Sequence, residues 1–96
     1  MTKAEKNHLN RVAGLGCIVC LNLGYPNCPA EIHHLRYGVG AGQRSNHYNV
    51  IPLCPDHHRN GGHGVAFHAG KLAFEAKFGT ERELWFQVNG LLKEAA

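Results

Sequence analysis

The residues of this sequence that could do chemistry are cysteines and histidines concentrated in its middle. The 96-residue chain contains four cysteines and eight histidines. Seven of the histidines lie between His33 and His68. Thiolates and imidazoles are the side chains that most often bind zinc in proteins. The composition therefore predicts a metal-binding domain.

Two pairs of these residues have the same spacing. Cys17 and Cys20 are separated by two residues, and so are Cys54 and His57. Two ligands at this spacing can occupy two corners of a tetrahedron, so two such pairs complete a closed zinc site. We therefore predict that these four residues bind a structural Zn²⁺. Such a site would supply folding free energy that a small core lacks.

The fourth cysteine, Cys28, lies in a turn-rich segment and is either a further ligand or a small buried side chain. Four cysteines could also form two disulfides, but the polar start at residues 1–6 is typical of a helix rather than of a secretory leader. Reduced, metal-bound thiolates are therefore the better interpretation, and we expect an intracellular, cytoplasmic protein. The sequence shows no apolar run of membrane-spanning length, so we expect no membrane partner.

Further histidines remain once the four zinc ligands are set aside. Adjacent side chains of a strand point to opposite faces, so His33 and His34 are expected to have different roles. His58 directly follows His57 and would point away from the structural zinc. A divalent ion with open positions, beside an uncoordinated imidazole that acts as general base, is what phosphodiester hydrolysis requires. The candidates for these parts are His33, His34, Asn49, His58, His63 and His68.

The charge distribution suits a polyanionic partner. The net charge is +3, and residues 1–59 contain six Lys and Arg against three acidic residues, whereas residues 60–96 contain four of each. The excess thus lies in the half that carries the candidate ligands. Arg36, Arg44 and Arg59 flank the site closely enough to neutralise phosphates, or are simply solvated. No residue is an evident reader of bases, so we expect weak sequence preference.

Hydrophobic periodicity and turn signals predict a single domain of helices around a β-hairpin. Gly and Pro positions separate the elements. The spacing Thr80 to Glu83 predicts a capping box that opens the last helix. The predicted elements are helices over 3–13, 56–59, 65–78 and 80–92, and strands over 30–37 and 48–53.

The order His33-His34, Asn49, Cys54-x2-His57-His58 resembles that of the HNH nucleases, also called His-Me finger or ββα-metal enzymes. The resemblance covers residues 17 to about 68. It implies an α+β fold in which a small ββα-metal core is stabilised by a structural zinc and flanked by N- and C-terminal helices. Within one domain, 1–96, the N-terminal helix would occupy 1–16, the zinc knuckle and finger 17–68, and the C-terminal helices 69–96.

This resemblance also implies roles for single residues. His33 and His58 would bind the catalytic ion and His34 would be the general base, although the exchange of roles between His33 and His34 stays open. Asn49 would shape the loop and hold the base. The ion itself would be Mg²⁺, Mn²⁺ or Zn²⁺. The site helix would enter the minor groove of DNA.

A more specific resemblance rests on four phrases, C-I-V-C at 17–20, A-E-I-H-H at 30–34, I-P-L-C-P-D-H-H at 51–58 and F-H-A-G at 67–70. They are similar to those of the phage recombination-enhancement nucleases of the Ref type, which cut DNA in dependence on the RecA filament. This implies that His68 is a further ligand of the catalytic ion; otherwise it is a partly buried structural histidine. The founding member of that type has a long basic N-terminal extension, whereas about sixteen residues precede Cys17 here, so a RecA requirement stays open.

The expected function is therefore a metal-dependent DNA endonuclease in phage recombination, with His34 as general base. The alternative is a non-catalytic, zinc-stabilised module that binds nucleic acid, because structural zinc knuckles use the same thiol pairs. The surplus of histidines favours the nuclease. His63 is expected to be solvated, and His8 and His47 are expected to be ordinary surface residues.

Overall fold

The computed structural model describes residues 1–36 and 46–95. Arg44 and most of the predicted hairpin loop therefore lie outside the described residues. Two short strands form one antiparallel sheet, and helices precede and follow it. The regular helices and strands are α1 (Lys3–Gly14), α2 (Ile18–Asn22), β1 (Glu31–His34), β2 (Val50–Leu53), α3 (Lys71–Phe78) and α4 (Glu81–Ala95).

Helix α1 confirms the predicted N-terminal helix and begins with a capping box. The Thr2 hydroxyl accepts a hydrogen bond from the backbone N–H of Glu5 (3.1 Å), and the Glu5 carboxylate accepts one from the backbone N–H of Thr2 (2.7 Å). Two otherwise unpaired N–H groups at the start of the helix are satisfied in this way. Val12 lies on the inner face of α1 and is fully buried.

Strands β1 and β2 pair as the predicted hairpin, although each is shorter than predicted. The partners across the sheet include His33 with Ile51 and Ile32 with Pro52. Leu35 donates its N–H to the carbonyl of Asn49 (2.9 Å). Leu35 and Asn49 therefore form a hydrogen-bonded pair, and such pairs alternate with non-hydrogen-bonded pairs along an antiparallel ladder. The pair of Ile32 with Pro52, three positions further along, is non-hydrogen-bonded. The missing N–H of Pro52 therefore removes no hydrogen bond to β1.

The core lies between the sheet, α1 and the C-terminal helices. All four residues of β2 are buried, and Phe74 of α3 is fully buried. Leu84, Val88 and Leu92 repeat every four residues, which places them on the inner face of α4. A continuous apolar cluster therefore fixes α1, α3 and α4 against the hairpin that carries the histidines.

The prediction of one continuous helix over 65–78 is wrong. The chain instead forms a 3₁₀ turn at Phe67–Ala69, and α3 begins only at Lys71. Gly70, between them, has φ 173° and ψ 98°, which is outside the helical region. The ring of His63 packs against this glycine, and a Cβ at Gly70 would lie only 2.7 Å from its Cδ2 atom. The break separates His68 from α3 and leaves it on a short turn.

The segment after β2 also differs from an ordinary α-helix. Asp56–Asn60 forms a single π-helical turn, where the start of a helix was predicted over 56–59. The backbone N–H of Gly61 bonds to the carbonyl of Asp56 (2.9 Å), which closes this wider turn. His57 and His58 both lie in it, on consecutive positions.

Helix α4 begins as predicted. Thr80 and Glu83 exchange side-chain hydrogen bonds with each other's backbone N–H, at 3.1 and 2.9 Å. Among the helices within 1–36 and 46–95, none is long and apolar enough to cross a membrane. The predicted α+β class is confirmed, with a two-stranded sheet and flanking helices.

Candidate metal centres

At the first candidate centre, the chain around Cys17 passes close to the backbone of Cys28. Cys17 precedes α2, and its sulfur accepts a hydrogen bond from the N–H of Cys20 (3.4 Å). Its own N–H donates to the carbonyl of Cys28 (2.9 Å). Gly16 allows this close crossing, because it has φ +76° and a Cβ there would lie 3.1 Å from the same carbonyl oxygen.

All four predicted ligands of the structural zinc converge. One ligand atom from each of Cys17, Cys20, Cys54 and His57 lies within 4.8 Å of the others. The Nδ1 atom of His57 is 3.7, 3.6 and 3.1 Å from the three sulfurs, and the sulfurs of Cys20 and Cys54 are 3.7 Å apart. Bonds of roughly 2.0–2.3 Å to a tetrahedral zinc give edges of about 3.6–3.8 Å. The donor set and its spacing therefore fit zinc.

The protonation of this cluster depends on its burial. Burial raises the pKa of the Cys17 and Cys20 thiols, and burial lowers the pKa of the His57 imidazole. Each shift favours the neutral form, because a charged group loses hydration in the interior. Zinc binds thiolate, so metal uptake at this cluster would release protons.

Cys28 lies outside this group of four. Its thiol donates to the carbonyl of Tyr25 (3.4 Å) in the turn between α2 and β1. The side chain is half-buried and packs against the apolar core. Of the two roles that the sequence left open, the geometry favours the small packed side chain.

A second cluster is formed by His33, His58 and His68. One ring nitrogen from each lies within 4.8 Å of the others, and the ring centroids are 4.7 to 5.3 Å apart. His33 is buried, His58 is half-buried and His68 is exposed. The cluster therefore opens to solvent on one side, as catalytic metal sites do. Although its side chain is exposed, partial loss of hydration lowers the pKa of His68, with smaller contributions from the charges of His58 and His33, and this favours the neutral imidazole that binds metals.

His33 is held by a carboxylate that the sequence analysis missed. Its Nε2 atom lies 2.7 Å from Oε2 of Glu81, and both side chains are 1% exposed. The same oxygen accepts the backbone N–H of Arg36 (2.7 Å). Burial raises the pKa of Glu81, but these two hydrogen bonds, together with the charges of His33 and Lys71, outweigh burial, so that the pKa lies below its ordinary value. The charged carboxylate thus accepts the Nε2 proton of His33, which leaves Nδ1 as the ring nitrogen with a lone pair able to bind a metal ion.

His58 has a carboxylate partner of the same kind. Its Nδ1 atom lies 2.9 Å from Glu31, a residue of β1. Arg59 binds both oxygens of this carboxylate, at 2.6 and 3.0 Å. Arg59 foremost, and then His58, lower the pKa of Glu31 to about 2. Arg59, which was predicted to contact DNA, therefore lies in an ion pair that positions His58.

His34 lies beside the histidine cluster and contacts another histidine. It lines one pocket together with His33, Arg36, His58 and His68. Its Nε2 atom lies 3.1 Å from Nδ1 of His47. His47 was predicted to be an ordinary surface residue, but a hydrogen bond between the two rings would limit the rotation of His34.

Asn49 and Arg36 take places close to this pocket. The backbone carbonyl of Asn49 accepts a hydrogen bond from the N–H of Leu35, and Asn49 lines a second pocket with Leu35, Arg82 and Trp85. Arg36 lines the histidine pocket itself. His63 is exposed and lies outside both groups of ligands, as expected.

The two-stranded sheet, the surrounding helices and the two clusters of metal-binding side chains define a small α+β protein with candidate metal centres. The family model described as "Recombination enhancement, RecA-dependent nuclease" matches residues 1–93. The chain therefore belongs to the family of RecA-dependent nucleases that enhance recombination. A comparison with curated proteins finds no significant match.

Proposed function

We propose that this protein is a metal-dependent DNA endonuclease of the HNH, ββα-metal type, with His34 as general base. The observation that carries this proposal is the open cluster of His33, His58 and His68, whose pocket His34 also lines. Family membership supports the nuclease activity and a role in recombination. The Cys17, Cys20, Cys54 and His57 cluster would hold the structural zinc.

In this proposal His33, His58 and His68 hold the catalytic ion. A divalent cation there would supply positive charge to the scissile phosphate and the leaving oxygen. Three imidazoles favour Zn²⁺ or similar transition metals in affinity, whereas Mg²⁺ and Mn²⁺ are alternatives for turnover. Glu81 and Glu31 would orient two of the three rings through their other nitrogens.

His34 would take a proton from the attacking water. Histidine is suited to this role, because imidazole in water gains and loses a proton near neutral pH. The contact with His47 would hold the ring at the wall of the pocket. Arg36 lines the same pocket and would bind a phosphate of the DNA backbone, whereas the corresponding proposal for Arg44 concerns a residue outside the described part of the chain.

The substrate in this proposal is DNA, and the RecA filament is the proposed partner. The family description, which names a RecA-dependent nuclease, supports both proposals. The alternative, a binding module without catalysis, is supported by the first cluster alone, because a closed Cys₃His site has no position open to a substrate.

Cleavage assays test this proposal. Purified zinc-loaded protein would be incubated with supercoiled and single-stranded DNA, without added divalent ion and in Mg²⁺, Mn²⁺ or Zn²⁺, with and without RecA filaments. We expect cutting that requires an added divalent ion and that RecA filaments increase. The absence of cutting in every mixture, with one zinc and DNA still bound, would instead establish the binding module.

Glu81 provides a separate test of the second centre. Glu81→Gln removes the charge that accepts the His33 proton, so binding of the catalytic ion should weaken by about 10 to 100-fold. Calorimetric titration of the zinc-loaded protein with Co²⁺ measures this affinity. Glu94→Gln, an exposed change on the same helix, serves as the control. Equal Co²⁺ affinities in the two variants would show that Glu81 does not position a metal ligand.

A further inference from the structure

Helix α4 carries a row of polar and aromatic side chains beside the core. At spacings of three, four and four residues these side chains share one side of the helix, over a length of about 16 Å. Exposed Tyr48 and two residues of α1 border the row. We call the following set the α4 strip: Arg82, Trp85, Asn89 and Lys93 of α4, with Tyr48, His8 and Arg11.

Two pockets lie along the α4 strip. One, of about 220 Å³, is lined by Leu35, Asn49, Arg82 and Trp85. The other, of about 270 Å³, is lined by His8, Arg11, Asn89, Leu92 and Lys93. Tyr48 connects them, because its carbonyl accepts the indole N–H of Trp85 (3.0 Å) and its ring lies 4.9 Å from that of His8. Together they form a row of pockets lined by both aromatic rings and cationic groups.

The pocket at one end of the α4 strip and the candidate catalytic pocket are lined by residues that are neighbours in the chain. Leu35 directly follows His34, and Arg82 directly follows Glu81, the partner of His33. A nucleic-acid strand that lies along the α4 strip would therefore run towards His34.

The charge of the α4 strip is positive. Within residues 1–36 and 46–95, neither Arg11 nor Lys93 forms an ion pair with a carboxylate. Arg11 donates to the carbonyl of Leu92 (2.9 Å), an interaction that keeps its charge at the surface of the second pocket. Burial, followed by the charge of Arg11, lowers the pKa of the neighbouring His8. A phosphate would find hydrogen-bond donors here.

We propose that the α4 strip binds a single-stranded segment of DNA that leads into the candidate catalytic pocket. This inference rests on the proposed nuclease function. Proteins that hold single strands combine a positively charged groove with aromatic side chains on which bases stack. The α4 strip offers both, in pockets that open between rings and cations. A duplex keeps its bases stacked inside and would use only the cations.

Tryptophan fluorescence reports stacking on the α4 strip directly, because Trp85 is the only tryptophan of the chain. The zinc-loaded His34→Ala protein would be titrated with an oligothymidylate and with a duplex of equal length. We expect saturable quenching by the single strand and little quenching by the duplex. The proposal is overturned if the single strand binds without quenching, or if both ligands quench equally.

A charge-neutralising pair of substitutions tests the same surface. Arg82→Gln with Lys93→Gln should weaken binding of the oligothymidylate by about tenfold. Each lost phosphate contact should reduce the slope of log affinity against log salt by about 0.7. The matched control is Lys6→Gln with Lys77→Gln, which removes the same charge at exposed positions that are not part of the α4 strip. Equal affinities in the two double variants would refute the proposal.

These binding assays do not depend on catalysis. One outcome is that the protein shows quenching and a selective effect of the strip variants but cuts no DNA under any condition. This result would support single-strand binding by the α4 strip and would reject the proposed nuclease activity. Metal-dependent cutting by a protein whose single-strand affinity is unchanged in the strip variant would support the nuclease while rejecting the α4 strip.

Discussion

Replacing His34 by alanine is expected to lower the rate of DNA cleavage by about 10²–10⁴-fold, the range that a positioned general base contributes. The expected cause is loss of proton transfer, because His34 lines the pocket of the histidine cluster but is not one of the three histidines whose ring nitrogens converge. Single-turnover cleavage in the optimal metal would measure the chemical step. The variant should retain its zinc and its melting temperature.

The matched control is His63→Ala. His63 is an exposed histidine outside both clusters, so the same substitution there should leave the cleavage rate within about twofold of the wild type. If His34→Ala cuts DNA at the rate of the control, another residue is the base. His33, the open alternative, would then be tested in the same way, with zinc content and metal affinity measured beside the rate.

Loss of the structural zinc is expected to unfold the domain. Apparent binding free energies of structural zinc are about 10–16 kcal/mol, whereas whole domains are stable by about 5–15 kcal/mol. In a chain of 96 residues, the cluster connects the start of α2 to the segment after β2, on both sides of the hairpin. Cys20→Ser should therefore abolish cooperative thermal unfolding in circular dichroism, and prolonged chelation of the wild type should do the same.

Cys28→Ser is the control for this prediction. Cys28 is a half-buried thiol outside the cluster, so the identical substitution should cost only about 1 kcal/mol and leave one zinc per chain. A Cys20→Ser protein that melts like the control, with its zinc content unchanged, would contradict a structural role for this site.

Spacing in the sequence was sufficient to predict which side chains meet. The two pairs with two intervening residues identify the four members of the first cluster, because ligands of one tetrahedron must lie on tight turns. The periodicity of α1 and the capping box of α4 likewise predict those helices, since both depend on neighbours within one turn. The resemblance to recombination-enhancement nucleases is confirmed by the family match over residues 1–93.

The partners of the ligands could not be predicted in this way. Glu81 is 48 positions from His33, and an acidic residue in the first turn of a helix is explained equally well by the helix dipole. From the sequence alone, Glu31 is indistinguishable from an exposed residue of an edge strand. Only the folded chain places Arg59 and His58 against its carboxylate. Such contacts arise from packing between distant segments, which leaves no local pattern.

The helix break at Gly70 has a similar cause. Phe67, Phe74 and Phe78 have a helical spacing, and the sequence therefore favoured one helix over 65–78. The structure places Phe67 against Phe74 across the break, with ring centroids 5.4 Å apart. The rings of Phe67 and Phe74 therefore pack together without a continuous helix between them. The break also allows His68 to face His33 and His58.

The position of Pro52 in the sheet affects how readily the unfolded or partly folded chain pairs with other copies of itself. Apart from Pro52, strand β2 is apolar, and an exposed strand edge offers unpaired N–H and C=O groups to another chain. In an antiparallel ladder the N–H of a non-hydrogen-bonded position points away from the partner strand, towards the open edge. Proline removes that donor without weakening the native pair with β1, and so gives β2 an edge that is poorly suited to intermolecular sheet growth.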